Sequence, residues 1–177
     1  MPESCFELWT WQGPDFSLTT GTVDHRKSCY YDDPSFPDVA PAYHKLWRRL
    51  GTTQIIWCYP RHGEHHHISG ISEVEWELEV PESEILAVIH PYVWNRITGT
   101  GRTFPECLHG RWRLDSIQHR PNREQYVRDR EVEYEAAIAR GGWWTNLFLP
   151  RESASGGDVL LRHPLEEAWI RGRTLHD

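Results

Sequence analysis

Glu73-Val74-Glu75-Trp76-Glu77-Leu78-Glu79-Val80 alternates a carboxylate with an apolar side chain without a break. A period of two belongs to a strand with one face on a core and the other in water. A slip of one residue would bury four carboxylates. The segment therefore predicts a strand with Val74, Trp76, Leu78 and Val80 inward and all four Glu outward. Such a strand requires sheet partners and a second layer to cover its apolar face.

Partners are readable on both sides. Cys5 to Gln12 predicts a strand closed by Gly13-Pro14, Thr52 to Tyr59 a β-branched and aromatic strand bounded by Pro60, and Ile85 to His90 a further apolar run. Residues 13 to 37, rich in Gly, Pro, Ser and Asp, predict a long loop with at most one short element. Asp38 is placed to cap a helix that runs to Leu50 and stops at Gly51, with Val39, Tyr43, Leu46, Trp47 and Leu50 on its apolar face. Pro91 to Ile97 predicts a short helix, Thr98 to Arg113 a Gly-rich loop, and Pro121 to about Arg140 a long helix ended by Gly141-Gly142. Trp143 to Phe148 re-enters the core. Arg151 to Gly157 is a polar loop before a final strand pair, Val159 to Leu161 and Leu165 to Ile170. The expectation is a single α+β domain, residues 1–177, with a mixed or antiparallel sheet and a few helices.

Composition narrows the class. The 177 residues carry 10 Trp and a net charge of -7, and no apolar run approaches the roughly 20 residues that a membrane helix needs. The acidic start Met1-Pro2-Glu3-Ser4-Cys5 lacks the pattern of a signal peptide. Cys5, Cys29, Cys58 and Cys107 are widely separated and contain no Cys-x-x-Cys pair, which reads as reduced thiols in a cytoplasmic protein. Charge is unevenly spread. From Glu64 to Glu84 there are seven Glu and no Lys or Arg, whereas Arg96 to Arg130 holds eight Arg against four acids. An Arg-rich stretch suits phosphate, so segment 96–130 is a candidate nucleic-acid contact.

Two clusters could carry chemistry. His62-Gly63-Glu64-His65-His66-His67 crowds imidazoles into one loop, and His62, His65 and His67 are candidate metal ligands for a metal-dependent tailoring enzyme or hydrolase. Leu165-Glu166-Glu167-Ala168-Trp169-Ile170 embeds two carboxylates in a run read as a strand. One of Glu166 and Glu167 should then point inward, and a buried carboxylate invites a use.

The runs Leu8-Trp9-Thr10-Trp11-Gln12, Ala42-Tyr43-His44-Lys45-Leu46-Trp47-Arg48-Arg49-Leu50-Gly51 and Ile55-Ile56-Trp57-Cys58-Tyr59, followed by Glu77-Leu78-Glu79-Val80-Pro81, Ile85-Leu86 and Trp144-Thr145-Asn146-Leu147-Phe148, resemble the bacterial domain of unknown function 3841 family. More distantly, the order of elements is similar to ADP-ribosyltransferases, particularly those that modify DNA. That similarity implies an NAD-using enzyme in which Thr10 and Gln12 hold the dinucleotide and Glu167, with Glu166 beside it, supplies the catalytic carboxylate. Tyr43, Trp57 and Tyr59 could then stack on nicotinamide, and Arg48, Arg49 or Arg61 could reach the pyrophosphate. The acceptor would be a nucleic acid or a small molecule. The alternative class is a non-catalytic nucleic-acid or ligand-binding module of a toxin or defence system, using segment 96–130.

Overall fold

In the computed structural model, which describes residues 2–28, 30–60, 73–100 and 122–176, the alternating segment is strand β3 (Glu73–Pro81) at the centre of a three-stranded sheet. Strand β1 (Cys5–Gln12) pairs with it antiparallel over all eight residues, from Cys5 opposite Pro81 to Gln12 opposite Val74. Its other edge carries the last strand (Ile170–His176), from Ile170 opposite Leu78 to His176 opposite Glu73, with a bulge at Glu77/Leu78.

A second, four-stranded antiparallel sheet is built from β2 (Ile55–Cys58), β4 (Ile85–Ile89), β5 (Phe148–Leu149) and β6 (Asp158–Arg162), which makes the last strand β7. Its order is β2-β6-β4-β5. Alternation sorts its residues cleanly. Ile56, Cys58, Val88, Val159 and Leu161 face the first sheet and pack on Leu8, Leu78 and Val80. Ile55, Ala87, Ile89 and Leu160 face the other way, onto helices α1 (Val39–Leu50) and α2 (Pro91–Thr98). The domain thus has three layers: helices, four-stranded sheet, three-stranded sheet. Each fully buried Leu or Ile in these interfaces contributes about 1.5–3 kcal/mol relative to exposure.

Helix α1 forms because Val39, Ala42, Tyr43, Leu46 and Trp47 recur at three- and four-residue spacing and are all buried. Gly51 ends it at φ 72°, its N–H donating to the Trp47 carbonyl, a left-handed closure that glycine adopts without penalty. Asp38 stands at the N-cap, but its side chain makes no capping hydrogen bond. Pro91 opens α2, where its missing N–H costs nothing, and Gly99 closes it at φ 68°. Helix α3 (Arg123–Gly141) is the long helix expected from the sequence.

Three expectations change. The Leu165 to Ile170 run is not a strand: after Pro164, which has no N–H for a ladder, the Leu165 N–H donates to the Leu18 carbonyl and residues 167–169 form a 3-10 turn. Strands β6 and β7 therefore belong to different sheets and do not pair. On β3, Glu75 is buried at 3% exposure while Trp76 is only partly buried. The outer face of that strand is covered at one end. Among the described residues no helix is long and apolar enough to cross a membrane.

Candidate functional site at the seam between the sheets

Among the described residues, strands β1 and β2 are each the edge of a different sheet, and they meet at one bridge. Trp9 N–H donates to the Tyr59 carbonyl at 2.8 Å and Tyr59 N–H donates to the Trp9 carbonyl at 2.7 Å. Beside this bridge the Thr10 hydroxyl donates to the Trp57 carbonyl at 2.8 Å and accepts from Gln12 Nε2 at 2.9 Å. Thr10 is fully buried. It also lies against Cys58, whose thiol is pushed well above its usual range by burial; the Thr10 hydrogen bond pulls it the other way and the Asp158 carboxylate pushes it further up. Thr10 is thus a stitch between the sheets, with its hydroxyl already engaged on both sides.

Side-chain parity separates the residues gathered at the seam. Residues on a strand alternate faces and directly paired residues share one. Thr10 and Gln12 point to the interior between the sheets, with Leu8 and Trp76. Trp9 and Trp11 point outward, with their β3 partners Glu77 and Glu75. Across the bridge the same outward side continues to Tyr59 and, two residues back, to Trp57. There the Trp57 ring packs 5.4 Å from Trp94 and 6.3 Å from Tyr43, which itself lies 5.2 Å from Trp94. The result is one strip that runs from an aromatic nest under α1 and α2, over the bridge, to the outer face of the three-stranded sheet.

At the far end of the strip is its polar chemistry. The Trp11 ring lies 4.6 Å from the His176 ring, and His176 Nε2 is 3.7 Å from Glu75 Oε1. Glu75 is nearly inaccessible and Trp11 is buried with it. A carboxylate, an imidazole and an indole in contact on a largely desolvated sheet face can hold a hydroxyl, pass a proton or stabilise developing positive charge.

The sequence-derived residues divide accordingly. Thr10, Gln12, Tyr43, Trp57 and Tyr59 all meet at the seam, on its two faces. Arg48 does not. It lies on the exposed side of α1, roughly 140° around the helix axis from the buried Tyr43, as does Arg49. Glu166 and Glu167 are both exposed on the 3-10 turn, with no inward carboxylate between them. Their turn precedes Ile170, level with Leu78 and Leu8; Gln12 is four residues further on, about 13 Å of strand. His62, His65, His67 and Arg61 lie outside the described residues, and among those described no group of three His, Cys, Asp or Glu side chains could hold a metal ion. Most of segment 96–130 also lies outside. Of its described arginines, Arg96 pairs with Glu135 and Arg128 with Glu124.

Glu75 and His176 were not singled out by the sequence reading. A signal was present: Trp9 and Trp11 alternate on β1 in phase with the outward carboxylates of β3, so that face had to accommodate large apolar rings as well as water. A shallow depression lined by Glu3, Ser4, Glu82, Ser83 and Arg151 lies before the start of β1, at the opposite end of the strand from Trp11. No family model, curated protein or solved structure matches this chain.

Proposed function

We propose that the chain is an ADP-ribosyltransferase-like enzyme that takes NAD on the outward strip of the seam. The supporting observation is the strip itself: an aromatic panel (Trp57, Tyr59, Trp9), backed by the buried Tyr43, continuous with the buried Glu75 carboxylate and the partly exposed His176 imidazole beside it. Breaking the bond between nicotinamide and ribose sends the electron pair out with nicotinamide and leaves positive charge developing on the ribosyl carbon. A carboxylate in a dry site is worth most against such charge, and this favours the buried Glu75 over the exposed Glu166 and Glu167. Rings of the panel give nicotinamide a stacking surface. As the acceptor's nucleophile bonds to the ribosyl carbon, its proton passes to the Glu75–His176 pair. Thr10 and Gln12, on the other face, hold β1 against β2 and so fix the strip. The free thiols Cys5 and Cys58 accord with a cytoplasmic setting.

The test is NAD consumption, followed as nicotinamide release, with a thermal-shift titration of NAD alongside. The native protein should release nicotinamide, Glu75→Gln should abolish release while staying folded, and Glu167→Gln should retain it. Loss in Glu167→Gln alone would move the catalytic carboxylate back to the turn. A native protein neither stabilised by NAD nor able to consume it ends the proposal.

A further inference from the structure

The solvent side of α1 reads His44, Lys45, Arg48, Arg49, with no acidic residue anywhere in the helix. Three cations within five residues repel one another, and among the described residues no carboxylate pairs with them. Arg96, Arg128 and Arg171, by contrast, each lie against a Glu.

Two of the α1 cations are held over aromatic rings. Lys45 Nζ is 4.3 Å from the Trp144 ring centre, and the Arg49 guanidinium is 5.1 Å from the Phe148 ring centre. On the opposite flank Tyr31 stacks on His44, its hydroxyl 2.7 Å from His44 Nε2, and His25 packs on Trp47. His25 begins the exposed turn that carries Arg26 and Lys27. Both lysines of the chain thus fall on this face. The nearby Asp24 and Asp33 carboxylates accept from the Arg26 and Ser35 amides of their own turns. Across the surface the order is basic turn, Tyr31, basic helix stripe, Trp144 and Phe148.

We propose that this face of α1 binds single-stranded nucleic acid, with Lys45, Arg48 and Arg49 on successive phosphates and bases stacking on Tyr31 and Trp144. Charge complementarity requires a polyanion. Partly buried rings with one edge at the surface on both flanks of the cationic stripe favour unpaired bases over a duplex, a membrane or an acidic protein, since stacking is available only where bases are splayed. The inference stands apart from the NAD reading, because α1 turns its opposite side to the seam. In segment 96–130 the described side chains of Arg96 and Arg128 lie against Glu135 and Glu124, and the other six arginines lie outside the described side chains.

The experiment is fluorescence anisotropy of a labelled 20-nucleotide polythymidine strand against salt. Three to five phosphate contacts give a slope of log affinity on log salt of about −2 to −3.5, or roughly 15- to 130-fold weaker binding from 50 to 200 mM. Lys45→Gln/Arg48→Gln/Arg49→Gln should remove about two units of that slope. Trp144→Leu should weaken binding about tenfold with the slope unchanged. Arg171→Gln/Arg173→Gln, on β7 in the opposite layer, should bind as the native protein does. The proposal fails if the triple variant keeps native affinity and slope. It also fails if duplex DNA, heparin or anionic phosphatidylserine vesicles compete as well as the single strand.

Discussion

Replacing Thr10 tests whether the seam is held together as its geometry implies. Thr10→Val keeps the shape and removes the hydroxyl, leaving the Trp57 carbonyl without its side-chain donor and Gln12 Nε2 without its acceptor. Two hydrogen bonds of about 1 kcal/mol each are lost. Stranding the partners in a part-buried site adds about 1 kcal/mol, and the new methyl group returns about the same through burial. The net expectation is a destabilisation of about 2 kcal/mol. Thr10→Ser does the reverse: it keeps the hydroxyl and deletes one fully buried methyl, costing about 1 kcal/mol.

Thermal and urea unfolding followed by Trp fluorescence measure both. In a domain of this size each kcal/mol lowers Tm by about 2–4 °C, so Val should fall by about 4–8 °C and Ser by about half of that. The diagnostic quantity is the order of the two variants. If Val is as stable as the native protein and Ser is the weaker, Thr10 is merely packing and the stitch does not exist. A double-mutant cycle with Gln12→Ala should show a coupling of at least about 0.5 kcal/mol. Any stabilisation by NAD should persist in Thr10→Ser, because the hydroxyl points away from the proposed ligand strip.

Three other outcomes follow from the packing and burial of single residues. Gly157→Ala should destabilise by about 1–3 kcal/mol, read as a lower urea midpoint, because an added Cβ would stand 2.7 Å from Val88 Cγ1 and 2.9 Å from the Ile89 carbonyl oxygen. Cys58, with its thiol pushed up by burial, should resist iodoacetamide at pH 8 in the native protein and react in urea, while exposed Cys5 reacts in both; peptide mapping separates the two. Burial raises the Tyr92 phenol above its usual range, and the hydrogen bond it donates to Glu135 raises it further. Its folded value therefore exceeds the unfolded one of about 10, so the stability it adds is complete below about pH 10 and is lost as pH rises through the folded value. Absorbance at 295 nm should show the Tyr92 phenol ionising late, as a high-pH step that shrinks by one tyrosine in Tyr92→Phe.

Where neighbouring residues carry the decisive physics, the chain is legible. Helix α1 is written in the spacing of Val39, Ala42, Tyr43, Leu46 and Trp47 and in Gly51, and β3 in its alternation. Strand β7 is not, because Ile170-Arg171-Gly172-Arg173-Thr174-Leu175-His176 is a sheet edge whose exposed side chains were never sorted by a core. The run before it, Leu165 to Ile170, is apolar enough for a strand, yet the segment opens on a turn after Pro164 that points both Glu166 and Glu167 into water. Burial of Glu75 was hidden for a related reason. Alternation declares that a strand has two faces and is silent about what lies over the second. The pairing of Trp11 with Glu75, and the approach of His176 from β7, are long-range facts. The chain end that supplies His176 lies about a hundred residues further along the sequence.

The candidate site residues divide between two faces for the same reason. Thr10, Gln12, Trp57 and Tyr59 are close in space, as the sequence order suggested, but proximity on a sheet is not a shared face. On β1, even-numbered positions from Phe6 to Gln12 serve the interior and odd-numbered positions from Glu7 to Trp11 serve the outer strip. One strand therefore carries two separable roles in alternate residues. Substitutions at Thr10 or Gln12 should change stability first, and activity through the alignment of the strip that they hold in place. Substitutions at Trp9 or Trp11 reach the ring surface and the Glu75–His176 pair directly. Because among the described residues the two sheets share one two-way bridge, at Trp9 and Tyr59, a loosened Thr10 also lets Tyr59 and Trp57 move relative to Trp11. The interior stitch is thus what keeps the aromatic panel and the buried carboxylate on one continuous surface.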